Sequence, residues 1–229
     1  MHHKAERKDG MRNDRRRART RAALLRAGRR LLAQRDVGAL SIDEIVAAAD
    51  VAKGSFYNHF PDKDGFAREI GAHVRHQAEQ AVVEANDGIG DPAMRLARAL
   101  CVFIRFAIEH PDSAQVLWRL NSGATLADAP VNRRLKEDLV RAHRTKEFAG
   151  LDVETGVLTV MGTVVISMRH VLDERVRTDP RRIAARMATG MLRALGVEAR
   201  RARSVAARSA EELLAKARTR PEAPAGTVR

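Results

Sequence analysis

Five polar side chains of different chemistry crowd into one short stretch of the chain: Lys53, Ser55, Tyr57, Asn58 and His59. The lysine, serine, tyrosine and histidine side chains can bind phosphate oxygens, and an asparagine amide matches the major-groove edge of adenine. Because these groups fall within seven residues, they could act on one ligand surface. The stretch therefore predicts a contact with nucleic acid.

Two phenylalanines position this polar set. Phe56 and Phe60 are four residues apart, so on a helix over about 52–59 they share one face and anchor it to a core. Another short helix, Ser41–Ala49, precedes it and begins with a capping box, in which Ser41 and Glu44 each bond the other's backbone N–H. Two short helices joined by a tight turn predict a helix-turn-helix, whose second helix enters the major groove.

Helical periodicity continues through the rest of the chain, and strand signals are nearly absent. Aromatic residues make up only 3% of the sequence. A helix is predicted from Thr20 to Gln34 before the motif, and a long one follows Asp62. More helices follow a linker at 86–92. The pattern predicts an all-α chain of about nine or ten helices.

The net charge of +13 is concentrated at the two ends of the chain. Residues 1–30 carry 12 basic and 3 acidic side chains, residues 197–229 carry 8 and 4, and residues 31–196 are neutral. Two basic ends on a neutral globule favour a polyanionic partner. Charge alone leaves nucleic acid and an anionic membrane surface both open.

Several classes of protein are disfavoured by composition. Cys101 is the only cysteine, so an intramolecular disulfide and a multi-cysteine zinc site are excluded. The first residues lack the apolar core of a secretory signal. The longest apolar run, Val157–Met168, has 12 residues, whereas a membrane span needs about 20. We therefore expect a soluble, cytoplasmic protein without a membrane partner.

No enzyme signature is present in the sequence. A GxSxG elbow, a glycine-rich phosphate loop and an HExxH motif are all missing. His73 and His76 have a spacing compatible with a metal ion, but no third ligand is evident and a solvated helix face is the favoured interpretation. We expect no catalytic activity, no cofactor and no metal site.

The segment from Ala48 to Lys63 resembles the helix-turn-helix signature of TetR-type transcriptional repressors, above all in Phe-Tyr-Asn-His-Phe followed by Pro-Asp-Lys. The resemblance extends over about residues 19–66. It implies a three-helix DNA-binding domain followed by a larger helical domain that binds a ligand and forms a homodimer. Two positions depart from the family pattern. Asp50 replaces the usual turn glycine but tolerates a left-handed backbone, whereas Ala52 replaces a serine or threonine and removes a helix cap.

The resemblance also implies a role for each polar residue of the motif. Ser41 would hold a phosphate, and Lys63 would reach a flanking phosphate. The residues facing the bases would be Lys53, Gly54, Ser55 and Asn58, while Tyr57 and His59 would fix the DNA backbone. Arg17 and Arg19, in the basic segment before the motif, are expected to follow the backbone or enter the minor groove, with a solvated tail as the alternative.

The resemblance implies a dimer joined through two long helices, about Asp152–Arg175 and Pro180–Leu195, although an intramolecular core would explain the same residues. It also implies an effector pocket within residues 91–175, again with ordinary core as the alternative. The candidate lining residues are Phe103, Phe106, Leu117, Trp118, Thr159, Met161, Thr163 and Met168. A ladder of hydroxyls at Thr155, Thr159, Thr163 and Ser167 could meet a ligand, but bonds back to the helix's own carbonyls are favoured.

These observations predict four segments: a basic flexible arm (1–18), a helix-turn-helix domain (19–66), a helical regulatory and dimerisation domain (67–196) and a basic tail (197–229). The expected function is a ligand-responsive repressor. It binds a palindromic operator in double-stranded DNA as a homodimer and is released by a small, mostly apolar effector. The alternative is a non-specific or architectural nucleic-acid-binding protein.

Overall fold

The computed structural model describes residues 2–120 and 132–215, with side chains from residue 13 onward. All secondary structure in this part of the chain is helical, which confirms the all-α prediction. The helices are α1 (His2–Gln34), α2 (Ile42–Ala49), α3 (Lys53–Tyr57), α4 (Lys63–Ala85), α5 (Pro92–Glu109), α6 (Pro111–Arg119), α7 (Arg133–Arg144), α8 (Val153–Leu172), α9 (Pro180–Ala194) and α10 (Ala199–Leu214), with one 3₁₀ turn at Val37–Ala39.

The chain divides into two compact units. Unit 1 consists of Met1–Arg75 and Asp112–Asn121, and unit 2 of His76–Pro111 and Ser122–Arg229. The division falls within α4 rather than after residue 66, and it assigns most of α6 to unit 1. Helices α1 to α3 and the first part of α4 therefore form one unit with α6, and the remaining helices form the other.

The first helix is much longer than the sequence predicted. Residues 2–18, for which we expected a flexible arm, continue α1 without interruption to Gln34. The physical reason is local, because this segment has no proline and seven of its 17 residues are arginine or lysine, which are good helix formers. The prediction gave weight to the charge of the segment and too little to its helix propensity.

The helix-turn-helix forms as the sequence predicted. The capping box is present, since the Ser41 Oγ accepts from the Glu44 backbone N–H at 3.1 Å and the Glu44 carboxylate accepts from the Ser41 backbone N–H at 2.8 Å. Asp50 ends α2 in the left-handed conformation, with φ 55° and ψ 51°. Ala52 precedes α3 without any side-chain cap, as expected for the loss of a hydroxyl at this position.

Three phenylalanines form the core beneath α3. Phe56, Phe60 and Phe66 are each at most 2% exposed, and their ring centroids lie 4.8 to 5.5 Å apart in tilted or edge-to-face arrangements. Edge-to-face pairs at this distance are favourable by about 0.5–1.5 kcal/mol beyond the area they bury. The prediction that Phe56 and Phe60 anchor the second helix to a core is confirmed.

Unit 2 is built around α5, which packs against α8, α9 and α10. Two ion pairs join α5 to neighbouring helices: Arg95 to Asp138 of α7 at 3.1 Å, and Arg98 to Glu212 of α10. Arg98 also donates to the Ala85 carbonyl at the end of α4, at 2.8 Å. These contacts connect α4, α7 and α10 to the central helix.

Two glycines allow two backbone segments of unit 2 to cross. The Gly150 N–H donates to the Leu195 carbonyl at 3.2 Å, and a Cβ built at Gly150 would lie 2.7 Å from the Gly196 nitrogen. Gly196 itself has φ +95°, in the region that favours glycine. Gly196 lies two residues after the end of α9, so its positive φ also turns the chain toward α10.

The C-terminal segment differs from the predicted basic tail. Residues 199–214 form α10, which packs against α5 and α9 through a buried stripe of small and apolar side chains. The stripe consists of Ala202, Val205, Ala206, Ser209, Ala210 and Leu214. The sequence predicted only a basic tail here, but the spacing of three and four between these positions places them on one face of a helix. Residues 216–229 of the predicted tail lie outside the described residues.

Helix α8 is long and apolar enough to cross a membrane by length and composition alone, the one such helix in the described ranges. The 12-residue apolar run Val157–Met168 is shorter than this helix, which extends beyond the run at both ends to 20 residues. This criterion is weak evidence, since a core helix of a soluble protein passes the same test. Here α8 packs against α5, α7 and α9.

The Glu44 carboxylate generates a prediction about pH. The Ser41 backbone N–H, and after it the Arg35 guanidinium, lower the pKa of Glu44 from 4.5 to about 2. Because this pKa is depressed in the folded chain, the stabilisation is complete above pH 4.5 and is lost as the pH falls toward 2. We expect Glu44→Gln to lower the Tm near neutral pH, and the gap from wild type to close over this range.

Thermal unfolding followed by circular dichroism across this pH range measures the gap. Glu109→Gln removes another exposed carboxylate outside the motif and controls for the change in net charge. A Tm difference between wild type and Glu44→Gln that stays constant down to pH 2 would contradict the assigned cause.

Candidate nucleic-acid interface

Helix α3 presents most of the predicted base-facing side chains to solvent. Tyr57 is 54% exposed, although it is a large aromatic residue, and the Lys53 side chain is 57% exposed. Gly54 and Asn58 are also exposed, and a Cβ at Gly54 would meet nothing within 4 Å. Ser55 is half-buried. The buried Phe56 lies on the opposite side, so the helix has one anchored face and one free polar face.

Helix α1 contributes a guanidinium at the end of α3. The Arg17 Nη2 approaches the Asn58 carbonyl oxygen at 3.5 Å, which brings one predicted arm residue beside the predicted base-reading asparagine. His59 lies close by, and burial, followed by the charges of Arg17 and Arg21, lowers its pKa. The imidazole is therefore neutral at neutral pH and acts as a hydrogen-bonding group rather than a cation. Arg19 is exposed on α1.

No role for Arg21 in positioning α3 was predicted from the sequence, yet this residue connects α1 to the anchored side of α3. Its guanidinium lies 5.5 Å from the centroid of the Phe60 ring and forms an ion pair with Glu69 of α4. The stacking of a cation on an aromatic face adds to the burial of that ring. Nothing in the sequence spacing indicated Glu69 as its partner, because the two residues are 48 positions apart.

An acidic residue of α2 holds the first polar residue of α3. The Asp43 carboxylate lies 2.8 Å from the Lys53 Nζ, and both side chains are largely exposed. The hydrogen bond to Asp43, and then its charge, raises the pKa of Lys53. A carboxylate next to a predicted DNA contact competes with phosphate for the ammonium and repels the DNA backbone itself.

Lys63 and Ser41 are engaged within the protein. The Lys63 Nζ donates to the carbonyls of Leu40 at 2.7 Å and Gly38 at 3.3 Å, which ties the start of α4 to the loop before α2. The Ser41 hydroxyl participates in the capping box. An ammonium has three donors, so Lys63 retains one for an external partner. The phosphate contacts of both residues stay predictions.

The predicted pocket residues are distributed over both units. Leu117 and Trp118 lie on α6 in unit 1 and are half-buried. The other six lie on α5 and α8 of unit 2, two helices that pack against each other. Of these six, Phe106 and Met168 are buried, while Phe103, Thr159, Met161 and Thr163 are half-buried.

The hydroxyls of the ladder on α8 differ in their hydrogen-bond partners. Thr163 donates back to the Thr159 carbonyl at 2.7 Å, which is the arrangement the sequence favoured. Thr155 instead contacts the Asp152 carboxylate at 2.8 Å, and this aspartate caps the helix. The Ser167 Oγ is buried without a hydrogen-bond partner in the described part of the chain.

Helix α8 also carries an exposed apolar face. Leu158 is 44% exposed, Val165 36% and Ile166 54%. Gly162 lies between them, and a Cβ there would meet nothing within 4 Å. On α9, Gly190 is similarly open. These positions offer apolar surface together with room for close approach of another helix.

Metal and thiol chemistry find no support in the described residues. Within residues 2–120 and 132–215, no three histidine, cysteine, aspartate or glutamate side chains cluster as metal ligands. Cys101 is buried, and this burial raises its pKa to about 12. The thiol is therefore fully protonated and unreactive at neutral pH.

Two family models match the chain. The model described as bacterial regulatory proteins of the tetR family matches residues 24–70, which include α2 and α3. The model described as the tetracyclin repressor-like C-terminal domain matches residues 91–208, which is about half of the chain and reaches from α5 into α10.

Solved structures of similar fold include three with named ligands. RolR in complex with resorcinol is 26% identical over 85% of this chain and 96% of its own, with a TM-score of 0.59. A gamma-butyrolactone receptor, an ArpA-like protein, is 23% identical over 86% and 99%, with a TM-score of 0.64. AibR in complex with isovaleryl coenzyme A and operator DNA is 21% identical over 75% and 97%, with a TM-score of 0.61.

The Asp43–Lys53 pair generates a prediction about affinity for random-sequence DNA. Asp43→Asn releases Lys53 and removes a negative charge beside α3. Exposed ion pairs are weak, so we expect affinity for a random duplex to rise by no more than about fivefold. Fluorescence anisotropy at several salt concentrations measures this change.

Asp87→Asn is the matched control, because it makes the same change in net charge at an exposed position of unit 2. If both variants bind equally tightly, the effect comes from net charge and not from the pair. Unchanged binding by Asp43→Asn would contradict competition between the carboxylate and phosphate.

Proposed function

The chain belongs to the TetR family of bacterial regulatory proteins, and we propose that it represses transcription by binding a palindromic operator as a homodimer. Members of this family are ligand-responsive DNA-binding regulators and are generally not enzymes. We propose the same for this chain, with a cytoplasmic location, no cofactor and no membrane partner.

The observation that carries the proposal is the two-sided geometry of α3. Its buried Phe56 fixes the helix on the aromatic core, while Lys53, Tyr57 and Asn58 remain exposed beside one another. A helix held rigidly with its polar face free is what reading of base edges requires. Asn58 suits adenine, and Tyr57 and the neutral His59 suit phosphate or sugar oxygens.

The basic first helix supports the same function. Arg15, Arg16 and Arg19 are exposed on α1, and Arg17 lies against the end of α3. We propose that this part of α1 follows the phosphate backbone as a helix and adds affinity that does not depend on sequence.

The second copy is proposed to bind the exposed face of α8 and α9. Leu158, Val165 and Ile166 supply apolar area on α8, and Gly162 and Gly190 allow close approach of helices. A contact between the same faces of two copies has two-fold symmetry, and a palindromic operator has the same symmetry. This occupant also explains why α8 is as apolar as a membrane span.

An effector site is proposed on the facing sides of α5 and α8. Phe103, Phe106, Met161 and Met168 would contribute apolar contacts, and Thr159 and Thr163 lie on the same helix as the two methionines. Resorcinol, which RolR binds, makes small phenols the first class to test. Binding would release the operator by stabilising a conformation that binds DNA less well.

Selection of bound duplexes from a random pool tests the DNA-binding function. We expect enrichment of one two-fold symmetric sequence that binds about a thousandfold or more tighter than random duplex. Asn58→Ala is expected to reduce this preference by about five- to 150-fold, because a bidentate contact with a base is worth about 1–3 kcal/mol.

Two controls separate specific from general binding. Gln77→Ala removes an exposed amide of unit 2 and should leave the preference unchanged. Deletion of residues 1–17 should flatten the dependence of log affinity on log salt by about 0.9 for each DNA phosphate that the shortened chain no longer binds. Tight binding without enrichment of any sequence would favour the architectural alternative.

Ile166→Asp tests the dimer. The side chain is 54% exposed, so the substitution should not disturb the fold of one copy, but it places a charge in the proposed contact. We expect a monomer in sedimentation velocity and a loss of operator affinity of about a hundredfold or more, because the two half-sites are no longer bound together.

Val83→Asp is the matched control, since Val83 is a similarly exposed aliphatic residue, 40% exposed, on α4. It should remain dimeric. A dimeric Ile166→Asp variant, or a wild-type chain that is monomeric at micromolar concentration, would contradict the proposed interface.

A further inference from the structure

Ser167 is a hydroxyl buried inside unit 2 without a partner. It is 1% exposed, and its Oγ has no hydrogen-bond partner in the described ranges. A helical serine can donate to the carbonyl four residues before it, as Thr163 does to Thr159 on the same helix. Ser167 does not make this bond. A buried hydroxyl that is left unpaired is destabilising and therefore calls for an explanation.

The surroundings of Ser167 on α8 are apolar. Val160 and Val164 share its buried face, and Met168 follows it in sequence and is also buried. The helix packs against α5, α7 and α9, so this face is covered by other helices of unit 2. Ser167 thus places an unpaired hydroxyl next to buried apolar side chains of its own helix, and a few polar groups among apolar ones are common in sites for small ligands.

Charged side chains are absent from the buried residues of the described chain. The buried polar residues are Asn86, Ser113, Asn132, Ser167 and Ser209. Arg98, whose side chain is 13% exposed, already binds Glu212 and the Ala85 carbonyl. An anionic ligand entering the core of unit 2 would lose its hydration and find no charged side chain among the buried residues described there.

We propose that the Ser167 hydroxyl is the polar contact of the effector, and that the effector is a small neutral molecule with a hydroxyl or carbonyl oxygen. This inference rests on the proposed function and specifies the chemistry of its effector. A serine hydroxyl both donates and accepts, so it can bind a phenolic hydroxyl or a lactone carbonyl. Carboxylates and acyl-coenzyme A thioesters fall outside this class because they carry negative charge.

Asn86 is another described buried side chain whose oxygen has no hydrogen-bond partner, but it fits this role less well. Its amide nitrogen already donates to the Arg95 carbonyl at 3.2 Å. It lies in the turn after α4, whereas Ser167 lies within the covered face of α8. Ser209 supplies the matched control, because it is equally buried and its Oγ contacts the Met94 sulfur at 3.3 Å.

The experiment compares pairs of probes that differ in charge. Resorcinol is paired with 3-hydroxybenzoate, γ-butyrolactone with 4-hydroxybutyrate, and a panel of other neutral phenols and lactones extends both series. Binding to the full chain is measured by calorimetry for wild type, Ser167→Ala and Ser209→Ala. We expect saturable binding of at least one neutral probe and binding of its charged counterpart that is about tenfold weaker or more. The same probe should bind Ser167→Ala about three- to tenfold more weakly and Ser209→Ala with unchanged affinity.

Stability without a probe gives a second readout. Removing an unpaired buried hydroxyl should leave the Tm unchanged or raise it, so Ser167→Ala should be at least as stable as wild type. Ser209→Ala removes the hydroxyl that contacts the Met94 sulfur and should be slightly less stable. A Ser167→Ala variant that is destabilised more than Ser209→Ala would show that the hydroxyl is paired within the protein, which overturns the proposal.

Three binding results would also overturn it: preference for the charged member of each pair, equal affinity of wild type and Ser167→Ala for the neutral probe, or no saturable binding by any neutral probe. Operator selection is measured separately and needs no effector. A chain that selects a palindrome but fails these tests retains the proposed DNA-binding function and loses only the assignment of Ser167. A chain that selects no sequence loses the function itself.

Discussion

The burial of Phe56 and Phe60 against Phe66 is the interaction on which the DNA-reading surface depends. Helix α3 has only five residues and lacks a side-chain cap, and an isolated helix of that length is not stable in water. Burying a phenylalanine contributes about 1.5–3 kcal/mol, so the aromatic core supplies what the short helix lacks. Arg21 then covers the Phe60 ring and connects α1 to this core. The orientation of Tyr57 and Asn58 is therefore set by their apolar neighbours and not by the polar residues themselves.

Local sequence signals predicted the local structure of this motif well. The capping box at Ser41 and Glu44 and the left-handed turn at Asp50 each follow from side-chain chemistry within a few residues, and both are present. Contacts between distant segments were not predictable in this way. The pairing of Arg21 with Glu69 depends on how α1 packs against α4, and the bonds from Lys63 to Leu40 and Gly38 depend on the path of a loop. The buried face of α10 was also missed from the sequence, because arginines separate the alanines that form it.

Helix α8 is apolar both on the face buried in unit 2 and on its exposed face. Its buried face, which includes Val160, Val164 and Ser167, packs within unit 2, while Leu158 and Ile166 remain exposed on the other side. A helix that is apolar on both faces must bury both, whether in lipid or against protein. Open glycines on α8 and α9 favour protein, because they remove the side chains that would hold another helix at a distance.

The basic residues of α10 and those of α1 differ in how far neighbouring acidic side chains neutralise their charge. On α10, Arg201 lies 3.0 Å from Asp91 and 3.7 Å from Glu147, and Arg208 lies 4.0 Å from Glu212, so acidic side chains of unit 2 already neutralise part of that charge. On α1, by contrast, Arg17 lies against the end of α3 and Arg19 is exposed. An anionic duplex is attracted by uncompensated charge rather than by total charge. Uncompensated positive charge therefore lies on α1 beside the end of α3, the helix that presents Asn58 and Tyr57 to solvent.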